Sequence, residues 1–156
     1  MASELHLALY QPDIPGNAGT ILRMAACLGL TVDLIEPAGF DLSDRALRRA
    51  GMDYLAGVVL RRHVDFAAFA AWRGAAARRL ILFTTQAQRA YTDFAYRDGD
   101  VLLFGRESAG VPGPVHEIAD HRVLIPMPGG GRSLNVALAA AMAAGEALRQ
   151  LGSADR

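Results

Sequence analysis

Lysine is absent from this chain. All 16 basic residues are arginine, set against 16 acidic ones, so the formal net charge is zero. Balanced charge argues against the strongly basic class of nucleic-acid binders. Arginine alone leaves a narrower option, because a planar guanidinium can grip two oxygens of one phosphate. The arginines cluster at Arg45, Arg48 and Arg49, at Arg61 and Arg62, and at Arg78 and Arg79. A GC-rich coding sequence would also yield all-arginine usage.

Cysteine is nearly absent too. The single Cys27 excludes an intrachain disulfide and a cysteine-based zinc cluster. Set in Met24-Ala25-Ala26-Cys27-Leu28, it is expected as a buried core thiol. The histidines His6, His63, His116 and His121 do not fall at ligand spacings, so no metal is expected, and they read as surface or internally satisfied residues. No apolar run has membrane-spanning length: the longest, Val136 to Leu148, is about two-thirds of the ~20 residues needed. Met1 to Tyr10 lacks the basic start and unbroken apolar stretch of a secretory signal. A cytoplasmic location without membrane contact is expected.

Against these absences stands a hydrophobic fraction of 52% and a mean hydropathy of +0.18, which belong to a globular protein. The length suits one domain over residues 1–156, with disorder expected only after about Leu151. Strands are expected at His6–Tyr10, Thr31–Ile35, Gly57–Leu60, Leu80–Thr84, Val101–Phe104 and Val123–Ile125. Helices are expected at Asn17–Leu28, Leu42–Arg49, Asp65–Trp72 and Ser133–Leu151. Asn17 and Ser133 are the expected N-caps of the first and last helices, Asp41 or Ser43 of the second, and Gly29 a C-cap. The closing helix is apolar on most faces, which predicts burial. Near-continuous apolar strands between helices indicate a parallel α/β sheet covered on both faces. Ligands in such sheets bind beyond the carboxyl ends of the strands, so the loops after Tyr10, Thr84, Phe104 and Ile125 are the informative ones.

The first of these loops runs Gln11-Pro12-Asp13-Ile14-Pro15-Gly16-Asn17-Ala18-Gly19 and enters a helix carrying Arg23. Arg23 sits among Ile21, Leu22 and Met24, so it either meets a partner or ligand or lies on a solvated rim. Gly105-Arg106-Glu107-Ser108-Ala109-Gly110-Val111-Pro112-Gly113 has glycines enough for close approach of a ligand, yet fits neither the Rossmann nor the Walker pattern. Glu107 there could bind a ribose hydroxyl or pair with an arginine. Ile125-Pro126-Met127-Pro128-Gly129-Gly130-Gly131-Arg132-Ser133-Leu134-Asn135 opens directly into a helix, whose N–H groups favour acceptor ligands. A plain flexible loop with a capping serine is the alternative.

Taken together, these segments resemble the SPOUT RNA methyltransferases, most closely the TrmL branch acting on the 2′-hydroxyl of the tRNA wobble nucleotide. The likeness lies in Asn17-x-Gly19-x-x-x-Arg23, in Phe104-Gly105-x-Glu107-x-x-Gly110-Val111-Pro112, and in Ile125-Pro126-Met127 with Arg132-Ser133-Leu134-Asn135. Ile35 to Phe40 and Leu47 to Tyr54 extend it, and the whole runs from about Leu5 to Leu151. The resemblance implies a C-terminal trefoil knot, a homodimer with sites near its interface, and 2′-O-methylation of position 34 (cytidine or carboxymethylaminomethyluridine) in leucine tRNAs. It implies S-adenosylmethionine as donor, leaving as S-adenosylhomocysteine, held by Phe83, Thr84, Gly105, Ile125, Met127 and Ser133.

Arg23, Asn17, Glu107, Ser133 and Asn135 are the implied catalytic set. An arginine is a poor general base because its pKa exceeds ~12, so Arg23 is expected to orient the ribose and stabilise a developing alkoxide. Glu107 could accept the proton or bind a ribose. Arg45, Arg48, Arg49 and Arg106 are the candidate RNA contacts. Departures from the family pattern are Ala137 and Leu138, where Ser and Asn are usual, Gly145 in place of a tyrosine, and Arg106 in place of a proline. Rival readings are a 2′-O-methyltransferase for rRNA or another tRNA position, a catalytically silent RNA-binding relative, and a Rossmann oxidoreductase lacking its glycine fingerprint.

Overall fold

A computed structural model describes residues 4–41, 43, 45 and 59–152. Six strands form one parallel sheet: β1 (His6–Tyr10), β2 (Thr31–Ile35), β3 (Val59–His63), β4 (Leu80–Phe83), β5 (Val101–Phe104) and β6 (His121–Val123). Their spatial order is β3-β2-β1-β5-β4-β6. The helices are α1 (Pro15–Leu28), α2 (Phe66–Ala75), α3 (Gly113–Ile118) and α4 (Val136–Gln150). The chain first builds β1, β2 and β3 outward, then crosses to the other side, where β5 inserts between β1 and β4. All residues of β1 and β5 are buried, as expected for central strands covered on both faces. The edge strand β3 carries the exposed Val59, Arg61 and Arg62.

Two apolar layers flank the sheet. On one face, Leu7, Leu9, Val32, Ile81 and Leu102 pack against Ile21, Leu22 and Ala25 of α1 and Ala140, Ala143, Ala144 and Ala147 of α4. On the other, Ala8, Tyr10, Leu80, Leu82 and Leu103 meet Phe69 of α2, Val115 of α3 and Ala119 just beyond it. That second face also holds a buried polar group. Asp33 lies between His6 Nδ1 at 2.5 Å and His63 Nε2 at 2.8 Å, with none of the three more than 6% exposed. His63 is thus one of the internally satisfied histidines.

Element boundaries depart from expectation where proline or asparagine governs an end. α1 begins at Pro15, not Asn17, since Pro needs no N–H in the first turn. Asn17 is therefore inside the helix and caps nothing. Gly29 (φ +71°) closes α1 in the left-handed conformation, as expected. α4 begins at Val136 with Asn135 as cap, its Oδ1 accepting the N–H groups of Ala137 (2.8 Å) and Leu138 (3.3 Å). Ser133 is not the cap. β6 lies at His121–Val123, which leaves Ile125 in the following loop. β4 stops at Phe83 and β3 runs on to His63. α3 was not anticipated, because Pro112-Gly113-Pro114 reads as loop, although a proline in the first turn is helix-compatible. Asp65 caps α2 through Ala68 N–H at 2.8 Å. Apart from Ser43 and Arg45, the expected Leu42–Arg49 helix lies outside the described residues, as do Leu47 to Tyr54 and, among them, Arg48 and Arg49; Arg45 is exposed.

Two burial expectations fail. Cys27 is exposed, because it falls on the outer stripe of α1 with Gly16, Thr20 and Arg23. α4 buries Ala137, Ala140, Ala143, Ala144 and Ala147 but leaves Leu138 59% and Met142 41% exposed.

Candidate active site

A cleft of about 550 Å³ opens at the carboxyl ends of the strands. Its walls come from the loops after β1, β4, β5 and β6, together with the start of α4. Phe83, Thr84, Gly105, Ile125, Met127 and Ser133 all line it, as do Asn17, Arg106, Glu107 and Asn135. The volume falls in the range of small-molecule and cofactor sites.

Each wall is shaped locally. Phe83 and Phe104, in register on adjacent strands, stack at a centroid distance of 5.0 Å. Thr84 Oγ1 accepts the N–H of Gln86 at 3.1 Å and steadies the turn beyond β4. After β5 the chain doubles back on itself. Arg106 and Gly110 exchange two backbone hydrogen bonds of 2.9 Å. Gly105 is pressed so close to Gly110 that a Cβ on it would lie 2.6 Å from the Gly110 carbonyl carbon. Only glycine fits there, and its bare backbone leaves room for a ligand against the loop.

A chain of side-chain hydrogen bonds ties three loops together. Asn135 Nδ2 donates to Asn17 Oδ1 at 2.9 Å, and Asn17 Nδ2 donates to Glu107 Oε2 at 3.2 Å. Asp13 N–H donates to Glu107 Oε1 at 3.1 Å. Because Asn135 also caps α4, the helix start and this chain hold one another in place. Glu107 thus pairs with amides and not with an arginine. Ser108 Oγ donates to Asp13 Oδ2 at 2.5 Å. Hydrogen bonding with Glu107 and Ser108, aided by the nearby Arg106 charge, holds the Asp13 carboxyl below its usual range.

The structure thus brings Asn17, Glu107 and Asn135 into contact, with Ser133 in the same cleft. Arg23 is not in the lining; it is exposed on the outer stripe of α1. Sequence reasoning missed Asp13, whose spacing from Asn17 carries no motif signal. It also missed His116, which lines the cleft with Nε2 shielded from solvent and without a hydrogen-bond partner. Among the described residues, no group of three or more His, Cys, Asp or Glu could hold a metal ion.

A model of the SpoU rRNA Methylase family matches residues 4–145. The chain belongs to the SpoU methylase family. A relative from Beijerinckia indica, named tRNA (cytidine(34)-2′-O)-methyltransferase, is 63% identical over 94% of this chain and 92% of its own length. The Escherichia coli K12 protein of the same name is 39% identical over 95% and 94%. A solved structure described as giving insights into 2-OH methylation of C/U34 on tRNA superposes with a TM-score of 0.88, at 47% identity, covering 96% of this chain and 97% of that one. An AdoMet-bound rRNA methyltransferase from Sinorhizobium meliloti superposes at 0.85 with 29% identity, over 97% of this chain and 58% of that one. SpoU membership confirms the α/β methyltransferase fold expected from the motifs.

Proposed function

We propose that this SpoU methylase transfers a methyl group from S-adenosylmethionine to the ribose 2′-hydroxyl of the tRNA wobble nucleotide, position 34, cytidine or carboxymethylaminomethyluridine in leucine tRNAs. The observation that carries the reading is the Asn135–Asn17–Glu107 chain at a cleft lined by every expected donor contact. The names of the relatives supply the substrate. Cytoplasmic tRNA is the expected partner, and no helix among the described residues is long and apolar enough to cross a membrane.

The cleft fits the donor on its own features. The Phe83–Phe104 stack offers a flat apolar wall, and Gly105 clears the backbone for close approach. Phe83, Thr84, Gly105, Ile125, Met127 and Ser133 would hold it. When bound, the donor supplies a methyl group already activated by a positive sulfur. The protein then has to position the acceptor, which can contribute several kcal/mol, and receive its proton. Asn135 orients Asn17, whose Nδ2 fixes the Glu107 carboxylate at the cleft. Glu107 receives the acceptor hydroxyl and is the group placed to draw off its proton.

The homodimer belongs to the same proposal. α1 and α4 pack side by side, and α4 presents Leu138, Ala141, Met142 and Gly145 on one exposed stripe. Pairing two copies over it would cover this apolar surface. It would also give Arg23, exposed on α1, a route to the partner's cleft, where it would orient the ribose. Nothing stands within 4 Å of a Cβ at Gly145, so the departure from tyrosine leaves space for a close helix approach. The C-terminal trefoil knot belongs to the same reading through the family, and so do RNA contacts by Arg45, Arg48 and Arg49 through their helical spacing.

A leucine-tRNA anticodon stem-loop, with ribose or 2′-deoxyribose at position 34, tests the reading. Labelled donor should mark the ribose form only. Equal labelling of both would place the methyl elsewhere and refute it.

A further inference from the structure

Arg106 stands in the cleft wall next to Glu107, and the reaction proposed above leaves its charge unused. Its backbone is pinned by the paired bonds to Gly110, yet its side chain is only loosely held. Nη1 reaches Gln11 Oε1 at 3.5 Å and Nη2 reaches Asp13 Oδ2 at 3.8 Å, both at the limit of a useful contact. Nε is shielded and has no hydrogen-bond partner. A guanidinium carries five N–H donors, so most of this one's capacity is open, and the side chain is 37% exposed.

The two residues beside it are themselves constrained. Gln11 adopts φ +43°, a left-handed conformation unfavourable outside glycine, and its N–H is tied to Ile35 O at 2.8 Å. Such strain at a site is held by the surrounding structure and often serves placement of a side chain. Asp13 Oδ2 is already engaged by Ser108. Its charge therefore draws the guanidinium toward the loop without saturating it.

We propose that Arg106 grips the phosphate on the 3′ side of the target ribose, with Gln11 and Asp13 as positioning residues. This rests on the 2′-O-methylation reading. The 3′-phosphate hangs from the carbon adjacent to the one bearing the acceptor hydroxyl, so it is the anion nearest the reaction. The Glu107 and Arg106 side chains both reach Asp13, at 3.1 Å and 3.8 Å, so a hydroxyl delivered to Glu107 brings that phosphate toward the guanidinium. The planar fork can take two of its oxygens at once, as a lysine could not. Asp13 and Glu107 oppose any anion the guanidinium does not hold, which favours a single seat.

The test uses an anticodon stem-loop carrying the natural 3′-phosphate of position 34, or a neutral methylphosphonate there. Binding is measured with S-adenosylhomocysteine present, for wild type, Arg106→Gln and Arg106→Lys. Each single change should weaken binding about tenfold or more. Both together should be no worse than either alone, within twofold, since each removes the same contact. Arg106→Gln should also lower the salt slope by about one, and Arg106→Lys should recover only part of the loss. S-adenosylhomocysteine affinity should stay within twofold of wild type, which separates this role from a structural one. Losses that simply multiply, or a wild type indifferent to the methylphosphonate, would overturn the proposal. Methyl transfer to the unmodified stem-loop is scored alongside. Coupling of Arg106 to that phosphate without transfer would contradict the reaction while the phosphate contact stood.

Discussion

Gly105→Ala is the sharpest perturbation of the cleft. The new Cβ would sit 2.6 Å from Gly110 C, 2.7 Å from Gly110 Cα and 3.0 Å from Gly110 O. Carbon pairs prefer about 3.5–4.0 Å, so the two backbones must part by about 1 Å. The reciprocal Arg106–Gly110 bonds of 2.9 Å hold them together, and that displacement would break one of them and stretch the other. Each bond contributes about 1 kcal/mol net, and forced overpacking adds about 1–3 kcal/mol. The expected cost is therefore about 2–4 kcal/mol. If it falls on the donor-binding conformation, affinity drops roughly 30- to 1000-fold. If it falls on folding, the melting temperature drops by about 4–16 °C for a chain of this size. Calorimetric titration with S-adenosylhomocysteine and a thermal melt read both. Gly113→Ala, which meets nothing within 4 Å, is the matched control. A Gly105→Ala protein that binds within twofold of wild type and melts within 1 °C of it would refute this account of the loop.

Other expectations can be checked on the same preparations. Asp33→Ala strips both His6 and His63 of their buried hydrogen-bond partner and should lose about 3–5 kcal/mol in denaturant titration; a loss under about 1 kcal/mol would show that the trio adds little to folding. Asn135→Ala should cost about 1 kcal/mol through the lost cap and sharply reduce methyl transfer by releasing Asn17, whereas Ser133→Ala should leave stability unchanged; equal stability losses would contradict the assigned cap. Because the folded-state pKa of Asp13 is lowered, its stabilising contribution is complete above the ordinary value of 3.8 and fades as pH falls through the lowered one. The melting difference between wild type and Asp13→Asn should therefore be flat from pH 5 to 7 and shrink below pH 3.8; a difference growing toward low pH would reverse the sign. Leu138→Glu should dissociate the proposed dimer in sedimentation, and an unchanged sedimentation coefficient would move the interface elsewhere.

The legible parts of this fold are those set by local pattern. The run Leu80-Ile81-Leu82-Phe83 declares a buried strand through apolar continuity, and Val101-Leu102-Leu103-Phe104 does the same. Strand order was not legible, because the insertion of β5 between β1 and β4 depends on pairing between residues far apart in sequence. Helix starts went astray where two capping candidates compete: Pro15 displaces Asn17 as the start of α1, and Asn135 prevails over Ser133. In the cleft, residues carried by ordered motifs converge as expected. Arg23 shares a motif with Asn17 yet lies six positions along α1, which turns it away from the cleft that Asn17 lines. Burial of Cys27 failed for a related reason, since the run Met24-Ala25-Ala26-Cys27-Leu28 is apolar throughout and gives periodicity little contrast for choosing its inner face.

The central claim is that the chain methylates a wobble ribose. Labelled S-adenosylmethionine should be incubated with the protein and total tRNA, and the labelled nucleoside then located by mass spectrometry. The account predicts 2′-O-methylcytidine or a 2′-O-methylated modified uridine at position 34. Label on a base, at another position, or in rRNA alone would contradict it.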